Sequence, residues 1–172
     1  MRKRELKFAL REASRICRED QFIIIGSQAV HAYCARPPAE VTLSQECDLY
    51  PRNRIEAANM LAGELGRRSP FARRYGFHVD VVAPELATLP QGWELRLQRL
   101  DAGPVTAFCL EAHDLAVSKL AAGRLKDYEF VAALFRTGLA KPRRVSLRIT
   151  KLESPNEQAR VRARLKSVLE GM

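Results

Sequence analysis

The sequence predicts an α/β (α+β) fold, in which a unit of strands and helices is followed by a C-terminal helical segment. Apolar residues recur at helical spacing over residues 3–19. A short apolar run at 22–25 and an alternating run at 77–82 are typical of strands. At 172 residues, with 47% hydrophobic and 28% charged residues, the chain has the size and balance of one globular domain.

The elements follow from spacing and from residues that end helices. In order, we expect a helix at 3–19, a strand at 22–25, a short helix at 27–34, a strand around 48–50, a helix at 55–66, strands at 77–82, 93–100 and 105–110, and helices at 111–122, 124–137 and 155–170. Asn53 is expected to cap the helix at 55–66, and Gly103-Pro104 to turn a hairpin. Gly123 and Gly138 are expected to end two helices.

Positive charge is concentrated at the C-terminal end. The formal net charge is +9, and residues 139–172 hold nine Lys or Arg against three Glu. A basic surface of this kind attracts polyanions through counterion release, so we expect RNA, including tRNA, as a partner. The alternative is an ordinary solvated helix face, because no RNA-binding module with stacking aromatic residues is visible.

The chain shows neither a membrane segment nor a secretion signal. No apolar run approaches the roughly 18–20 residues of a membrane span, and the N-terminal Met-Arg-Lys-Arg leads into a charged amphipathic segment. The four cysteines lack the spacing of a zinc site or a disulfide framework. We therefore expect a cytoplasmic protein with free thiols and no membrane partner.

A turn that could bind phosphate is the first candidate site feature. The apolar strand at 22–25 runs directly into Gly26-Ser27, before a short helix. Backbone N–H groups at such a turn can bind phosphate. The same dipeptide also serves as an ordinary strand-to-helix turn with a serine cap, so both interpretations stay open.

Three carboxylates could hold metal ions. Glu46 and Asp48 are two residues apart in a strand, so their side chains point to one side. Asp80 lies in the strand at 77–82, on the same side as His78. Carboxylate oxygens are suitable ligands for Mg²⁺ or Mn²⁺. The alternatives are an exposed edge-strand acid at Asp48 and a solvated strand acid at Asp80.

In this order, the turn and the acids resemble the nucleotidyltransferase superfamily, which has the polymerase-β-like fold and joins a nucleoside phosphate to an acceptor. The resemblance implies a mixed sheet flanked by helices, a triphosphate held at Gly26 and Ser27, and divalent metal bound by Glu46, Asp48 and Asp80. The sequence departs from the family's Asp-x-Asp pattern in its first acid, which is Glu46.

A later segment extends the resemblance. The run Asp-Leu-Ala-Val-Ser-Lys-Leu-Ala-Ala-Gly-Arg-Leu-Lys-Asp ends at Asp127. It is similar to a segment of the minimal nucleotidyltransferase-like proteins, a group close to the abortive-infection toxin nucleotidyltransferases of bacteria. The resemblance implies that Lys119 reaches the triphosphate and that Arg124 and Asp127 belong to the nucleotide-binding site. Alternatively, Arg124 and Asp127 form only an i,i+3 helix ion pair.

These features predict a nucleotidyltransferase-like domain over residues 1–137 and a basic C-terminal helical extension over 138–172, packed on the same domain. The expected activity is metal-dependent transfer of a nucleotide from an NTP to a hydroxyl of RNA or protein, with Asp48 and Asp80 as catalytic carboxylates. A toxin with a cognate antitoxin protein as partner fits this activity. The alternative is a catalytically inactive relative that binds nucleic acid or protein.

Overall fold

Five strands form one mixed sheet in the computed structural model, which describes residues 1–172. The strands are β1 (Gln21–Ile24), β2 (Glu46–Pro51), β3 (His78–Val81), β4 (Gln98–Ala102) and β5 (Val105–Cys109). Their order across the sheet is β3-β2-β1-β5-β4. β1 pairs antiparallel with β2 and parallel with β5, β2 pairs parallel with β3, and β4 pairs antiparallel with β5. The predicted α/β (α+β) class with a mixed sheet is confirmed.

Eight α-helices flank the sheet and extend the C-terminal end. They are α1 (Lys3–Cys17), α2 (Ala39–Thr42), α3 (Ala58–Leu65), α4 (Pro70–Tyr75), α5 (Ala112–Ala122), α6 (Leu125–Arg136), α7 (Pro142–Ile149) and α8 (Pro155–Glu170). Four 3₁₀ turns are Ser27–Ala32, Ile55–Ala57, Pro84–Leu86 and Trp93–Arg96. None of these helices combines the length and the apolar character that a membrane crossing requires.

Alternation along β2 and β3 separates a core face from an acidic face. Cys47 and Leu49 are fully buried, and Val79 joins them in the core. The side chains of Glu46 and Asp48 point to the opposite side, because successive residues of a strand face opposite ways. Helices α1 and α3 contact each other, and they contact strands β3, β4 and β5. The acidic face is thus available to a site.

The C-terminal helices pack around α5, which contacts α6, α7 and α8. Gly123 follows α5 with φ +68°, and Gly138 lies just beyond α6 with φ +73°, so both predicted helix stops are confirmed. Helix α7 lies in the segment between α6 and α8 and buries Val145 and Ile149. The division into residues 1–137 and 138–172 stays a prediction.

The strand predicted at 93–100 is wrong in its first half. Residues Trp93–Arg96 form a 3₁₀ turn, and β4 starts only at Gln98. Gly92, with φ +72°, turns the chain here, and Leu95 N–H donates to Gly92 O at 3.2 Å. Leu95 is 92% exposed, so the alternation of apolar residues did not reflect burial on one face of a sheet. The predicted hairpin after β4 is confirmed, with Gly103 at φ +78°.

The predicted cap at Asn53 is also wrong. Its backbone N–H and its amide both donate to the carboxylate of Glu19, at 2.9 Å and 3.3 Å. A 3₁₀ turn then precedes α3, which begins at Ala58 without a side-chain cap. Asn53 therefore ties the end of β2 to the start of β1, where Glu19 also accepts from the N–H of Gln21 at 2.8 Å.

Candidate functional site

The parallel pairing of β2 and β3 puts four polar side chains on one face of the sheet. Glu46 is in register with His78, and Asp48 with Asp80. Residues in register on parallel strands, and residues two apart on one strand, point to the same side. All three predicted acids are therefore neighbours. His78 was predicted to lie on this side of β3, without a role in the site.

Gly26 lies against Asp48, with no room for a side chain. The N–H of Ile25 donates to the carbonyl of Asp48 at 3.2 Å, which brings the end of β1 beside the acid. A Cβ atom on Gly26 would lie 2.0 Å from Oδ2 of Asp48. Ser27, which follows, is nearly buried and lines a cleft together with Glu46 and Lys119. The predicted turn and the predicted acids thus meet in space.

Two helices supply the cations of the site. Lys119 lies in α5, and Arg124 immediately precedes α6. Asp127, which is only 2% exposed, lies between them. Its carboxylate accepts a hydrogen bond from Nε of Arg124 at 2.8 Å and lies 3.7 Å from Nζ of Lys119. Lys119 Nζ also lies 5.7 Å from the centre of the Phe130 ring. Asp127 therefore holds both cations in place.

Asp127 also caps helix α6. Its carboxylate accepts the backbone N–H of Arg124 at 3.1 Å, which satisfies a donor that the first turn of the helix leaves unpaired. The interpretation of Arg124 and Asp127 as a plain i,i+3 ion pair is thus too narrow, because the same carboxylate joins α5 to α6.

The turn between α5 and α6 is supported from helix α8. Arg164 donates to the carbonyl oxygens of Leu120 and Ala121 at 2.8 Å and 2.6 Å. A Cβ atom on Gly123 would lie 2.3 Å from Cζ of Arg164, so only glycine leaves the guanidinium its position. The positive φ of Gly123 independently favours glycine. Arg164 thereby holds the turn between Lys119 and Arg124.

Lys126 is a site residue that the sequence analysis missed. Its Nζ lies 3.4 Å from Oε1 of Glu46, so the first acid of the pair is matched by a cation from α6. Lys126 directly precedes Asp127 in the Lys-Asp pair of the helical segment, which was the available signal. That pair pointed to the segment, but the partner Glu46 lies 80 residues away in the chain and could not be predicted from local pattern.

Two clefts open beside the site and share Lys119. The first has a volume of about 300 Å³ and is lined by Ser27, Glu46, Lys126 and Asp127 among others. The second has a volume of about 390 Å³, and its lining includes Asp48, Arg124 and the exposed Leu86. Two reactants could therefore approach the same group of charges from different sides.

The two acids of β2 differ electrostatically. Burial raises the pKa of Asp48 above its ordinary value, and Glu46 and Asp80 reinforce this, whereas Lys119 and Arg124 oppose it. Burial also acts on Glu46, but the charge and hydrogen bond of Lys126, together with the Ser44 hydroxyl and the charge of Lys119, outweigh it and hold the pKa of Glu46 below its ordinary value. Asp48 is thus the acid that gains most from a nearby cation.

The donor set fits a divalent cation. Glu46, His78 and Asp80 each offer one ligand atom, and these atoms all lie within 4.8 Å of one another. Nε2 of His78 lies 3.5 Å from Oδ1 of Asp80. Two carboxylates and an imidazole at this spacing can converge on one metal ion. Asp48 is adjacent, in register with Asp80.

The structure brings together every predicted site residue: Gly26, Ser27, Glu46, Asp48, Asp80, Lys119, Arg124 and Asp127. Their roles in binding and catalysis stay predictions. The model of one protein family, with the description "Nucleotidyltransferase of unknown function (DUF6036)", matches residues 4–137, a span that contains the whole site. Comparisons with curated proteins and with solved structures found no match.

Proposed function

Because the chain belongs to this family of nucleotidyltransferases of unknown function, we propose that it transfers a nucleotide from an NTP to a hydroxyl group with the help of Mg²⁺ or Mn²⁺. One observation carries the proposal. The carboxylates of β2 and β3 meet Lys119 and Arg124 beside the Gly26-Ser27 turn, where the two clefts adjoin. Nucleotide transfer requires carboxylates that bind divalent metal, next to cations that neutralise the phosphates.

The donor NTP would bind in the cleft lined by Ser27 and Lys119. Nζ of Lys119 and the guanidinium of Arg124 would neutralise the phosphates, and the hydroxyl of Ser27 would donate a hydrogen bond to a phosphate oxygen. Asp127 would position both cations through its ion pairs with them. Because Asp127 would hold Lys119 and Arg124 before the nucleotide binds, less entropy would be lost in positioning them.

Glu46, Asp48 and Asp80 would hold the divalent cation. When bound, the cation would offset charge on the triphosphate and lower the pKa of the acceptor hydroxyl. The acceptor oxygen attacks the α-phosphorus, the bond to the bridging oxygen breaks, and pyrophosphate leaves. Asp80 takes the proton of the hydroxyl; its side chain is 41% exposed, so an acceptor can reach it.

RNA, including a tRNA end, is the acceptor that the charge distribution favours. Of the nine basic residues in the C-terminal segment, five are exposed and make no ion pair: Lys141, Arg143, Arg144, Lys151 and Arg162. Unpaired surface cations are the groups that bind phosphates of nucleic acid. A protein hydroxyl is the other acceptor. A toxin role with a cognate antitoxin, and a location in the cytoplasm, where free thiols persist, belong to the same proposal.

Incubation with each α-labelled NTP, Mg²⁺ or Mn²⁺ and total bacterial RNA tests the proposal. Asp48→Asn removes the charge of the central acid with little change in shape. Asp101→Asn is the matched control, because Asp101 is an exposed strand acid that lines neither cleft and pairs with Arg99. Label in RNA or protein from the wild type and the control, but not from Asp48→Asn, supports transfer and names the acceptor.

A catalytically inactive binding module is the second candidate, and the ion pairs of the site favour it. Glu46 is already paired with Lys126, and Lys119 with Asp127, so two of the groups assigned to metal and phosphate have charge partners without substrate. Folded wild-type protein that transfers no label but binds RNA would establish this second function in place of the first.

A further inference from the structure

We propose that His78 is a metal ligand and that the cation site therefore prefers a divalent first-row transition-metal ion, in the series from Mn²⁺ to Zn²⁺, over Mg²⁺. The inference rests on the proposed function, since the site is the same. It adds a nitrogen donor to a set that the sequence predicted to be all oxygen.

The state of the His78 ring is the observation that points to a ligand. The residue is 9% exposed, and its Nε2 is buried without a hydrogen-bond partner. A buried polar atom without a partner is costly, so a native structure that keeps one invites a missing partner. The surroundings of Nε2 are polar. This atom lies 3.5 Å from Oδ1 of Asp80 but makes no hydrogen bond with it.

Strand register fixes the ring beside the acids. His78 pairs with Glu46 across β2 and β3, and it is two residues from Asp80 on the same strand. Its ligand atom therefore lies within 4.8 Å of a carboxylate oxygen of each acid. Two charged groups face these three ligand residues. One is Lys126, which pairs with Glu46, and the other is Asp48, two residues beyond Glu46 on the same face of β2.

Lys126 acts as the charge partner of Glu46 in this structure. Its Nζ lies 3.4 Å from Glu46 and its side chain is largely exposed, so it can swing into solvent when a divalent ion takes over the carboxylate. An exposed ion pair of this kind is weak and does not compete strongly with metal coordination.

Donor chemistry decides the metal. Mg²⁺ demands near-octahedral oxygen ligands and keeps several waters, whereas imidazole suits the first-row transition metals. For a mixed nitrogen and oxygen site, affinity rises along the series from Mn²⁺ toward Cu²⁺. A site of two carboxylates and one imidazole is therefore expected to bind Mn²⁺ or Co²⁺ at least about tenfold more tightly than Mg²⁺.

Titration calorimetry of the metal-free protein with Mn²⁺, Co²⁺ and Mg²⁺ tests the preference. His78→Gln keeps the reach of the side chain and supplies an amide oxygen. We expect it to retain Mg²⁺ binding and to lose most of the preference for Mn²⁺ and Co²⁺, whereas Asp80→Asn weakens all three. Equal affinities of the wild type for Mn²⁺ and Mg²⁺, or an unchanged ratio in folded His78→Gln, would overturn the proposal.

A measurement on the wild type alone covers the case in which His78→Gln fails to fold. Electron spin echo spectroscopy of the Mn²⁺-loaded protein detects coupling to an imidazole nitrogen, and no such coupling would overturn the proposal. Neither readout depends on turnover. Nitrogen coupling without label transfer would sink the proposed reaction and leave this inference standing; transfer with Mg²⁺ and no nitrogen coupling would do the reverse.

Discussion

Gly26 and Asp48 share a space that admits only one side chain. A Cβ atom at position 26 would fall within 2.8 Å of three side-chain atoms of Asp48: Oδ2, Cγ and Cβ. Gly26 lies just beyond the end of β1, and the N–H of the preceding Ile25 donates to the carbonyl of Asp48, so the backbone cannot move away without breaking this bond beside the pairing of β1 with β2. The position of the central acid thus depends on the absence of a side chain in the turn that follows β1.

Gly26→Ala is expected to displace the carboxylate of Asp48 and to reduce nucleotide transfer about 10²-fold, because misplacement by about 1 Å has that effect at a catalytic group. The stability loss should be about 1–3 kcal/mol, as for other overpacked sites. Transfer rates and urea denaturation measure the two effects. Gly63→Ala is the control: nothing lies within 4 Å of its Cβ, and in helix α3 it should stabilise by roughly 0.5–1 kcal/mol. Equal activity of both variants would contradict the prediction.

Asp127→Asn is expected to weaken NTP binding about tenfold, because Lys119 and Arg124 lose the carboxylate that positions them. A neutral amide should also weaken the capping hydrogen bond from the N–H of Arg124 and lower stability by roughly 0.5–2 kcal/mol. Calorimetric titration with NTP measures the first effect and thermal melting the second. Asp101→Asn removes an exposed acid and should change neither. A variant that melts early but binds NTP normally would mean that Asp127 serves only the fold.

Asp48→Asn is expected to stabilise the protein in metal-free buffer near neutral pH. Burial, reinforced by Glu46 and Asp80, raises the pKa of Asp48 in the folded state, so the folded protein binds this proton more tightly than the unfolded chain does. Stability therefore falls as pH rises from the ordinary aspartate pKa through the raised one. The gain in Tm from Asp48→Asn should be largest above this window and vanish below it. A gain that does not change with pH would contradict this origin.

Asp114→Asn is expected to destabilise the protein by roughly 1–3 kcal/mol, because it removes the charge of a buried carboxylate that two partly exposed arginines share. Asp114 accepts from Nε of Arg96 at 2.7 Å and lies 3.1 Å from Nε of Arg148. The cluster joins the 3₁₀ turn at Trp93–Arg96 to α5 and α7. Urea denaturation measures the loss, and a change below about 1 kcal/mol would show that the two arginines are solvated instead.

Reversing the charge of Arg143 and Arg144 to Glu is expected to weaken RNA binding and to flatten its dependence on salt, because fewer counterions are released. Both residues are exposed on α7 and make no ion pair. The same double reversal at Arg67 and Arg68, exposed between α3 and α4, is the matched control for net charge. Filter binding at several salt concentrations separates the two. Equal losses in both variants would mean that overall charge, and no particular surface, attracts RNA.

The local parts of the site were predictable from sequence because they depend on neighbouring residues. Gly26-Ser27 and the alternating acids Glu46 and Asp48 follow from short patterns, and their elements form where expected. The position of His78 beside Glu46 was not predictable in this way, since it depends on the register of β3 against β2. Lys126 was missed for a similar reason, because its partner Glu46 lies far away in the chain.

The errors in the fold have the same origin in tertiary contacts. Trp93–Arg96 alternates like a strand, yet the bond from Arg96 to Asp114 and the turn at Gly92 hold it in a 3₁₀ conformation. Asn53 has the character of a helix cap, but the buried carboxylate of Glu19 takes its donors. Helix α4 was overlooked although its signals are local: Ser69 caps it, Pro70 occupies its first turn, and Gly76 ends it with φ +76°.

Arg164 of helix α8 stabilises the turn after α5 by donating to two of its carbonyl oxygens. Helix α8 is thus a brace, a support for the segment that carries the cations proposed to bind phosphate. This brace lies outside residues 4–137, the span shared with the family. A shortened chain that ends near residue 137 would keep every residue of the site, yet it would release the turn between Lys119 and Arg124. An inactive truncation would therefore say nothing about RNA recognition, whereas single charge changes on the outer surface of α7 leave the brace intact.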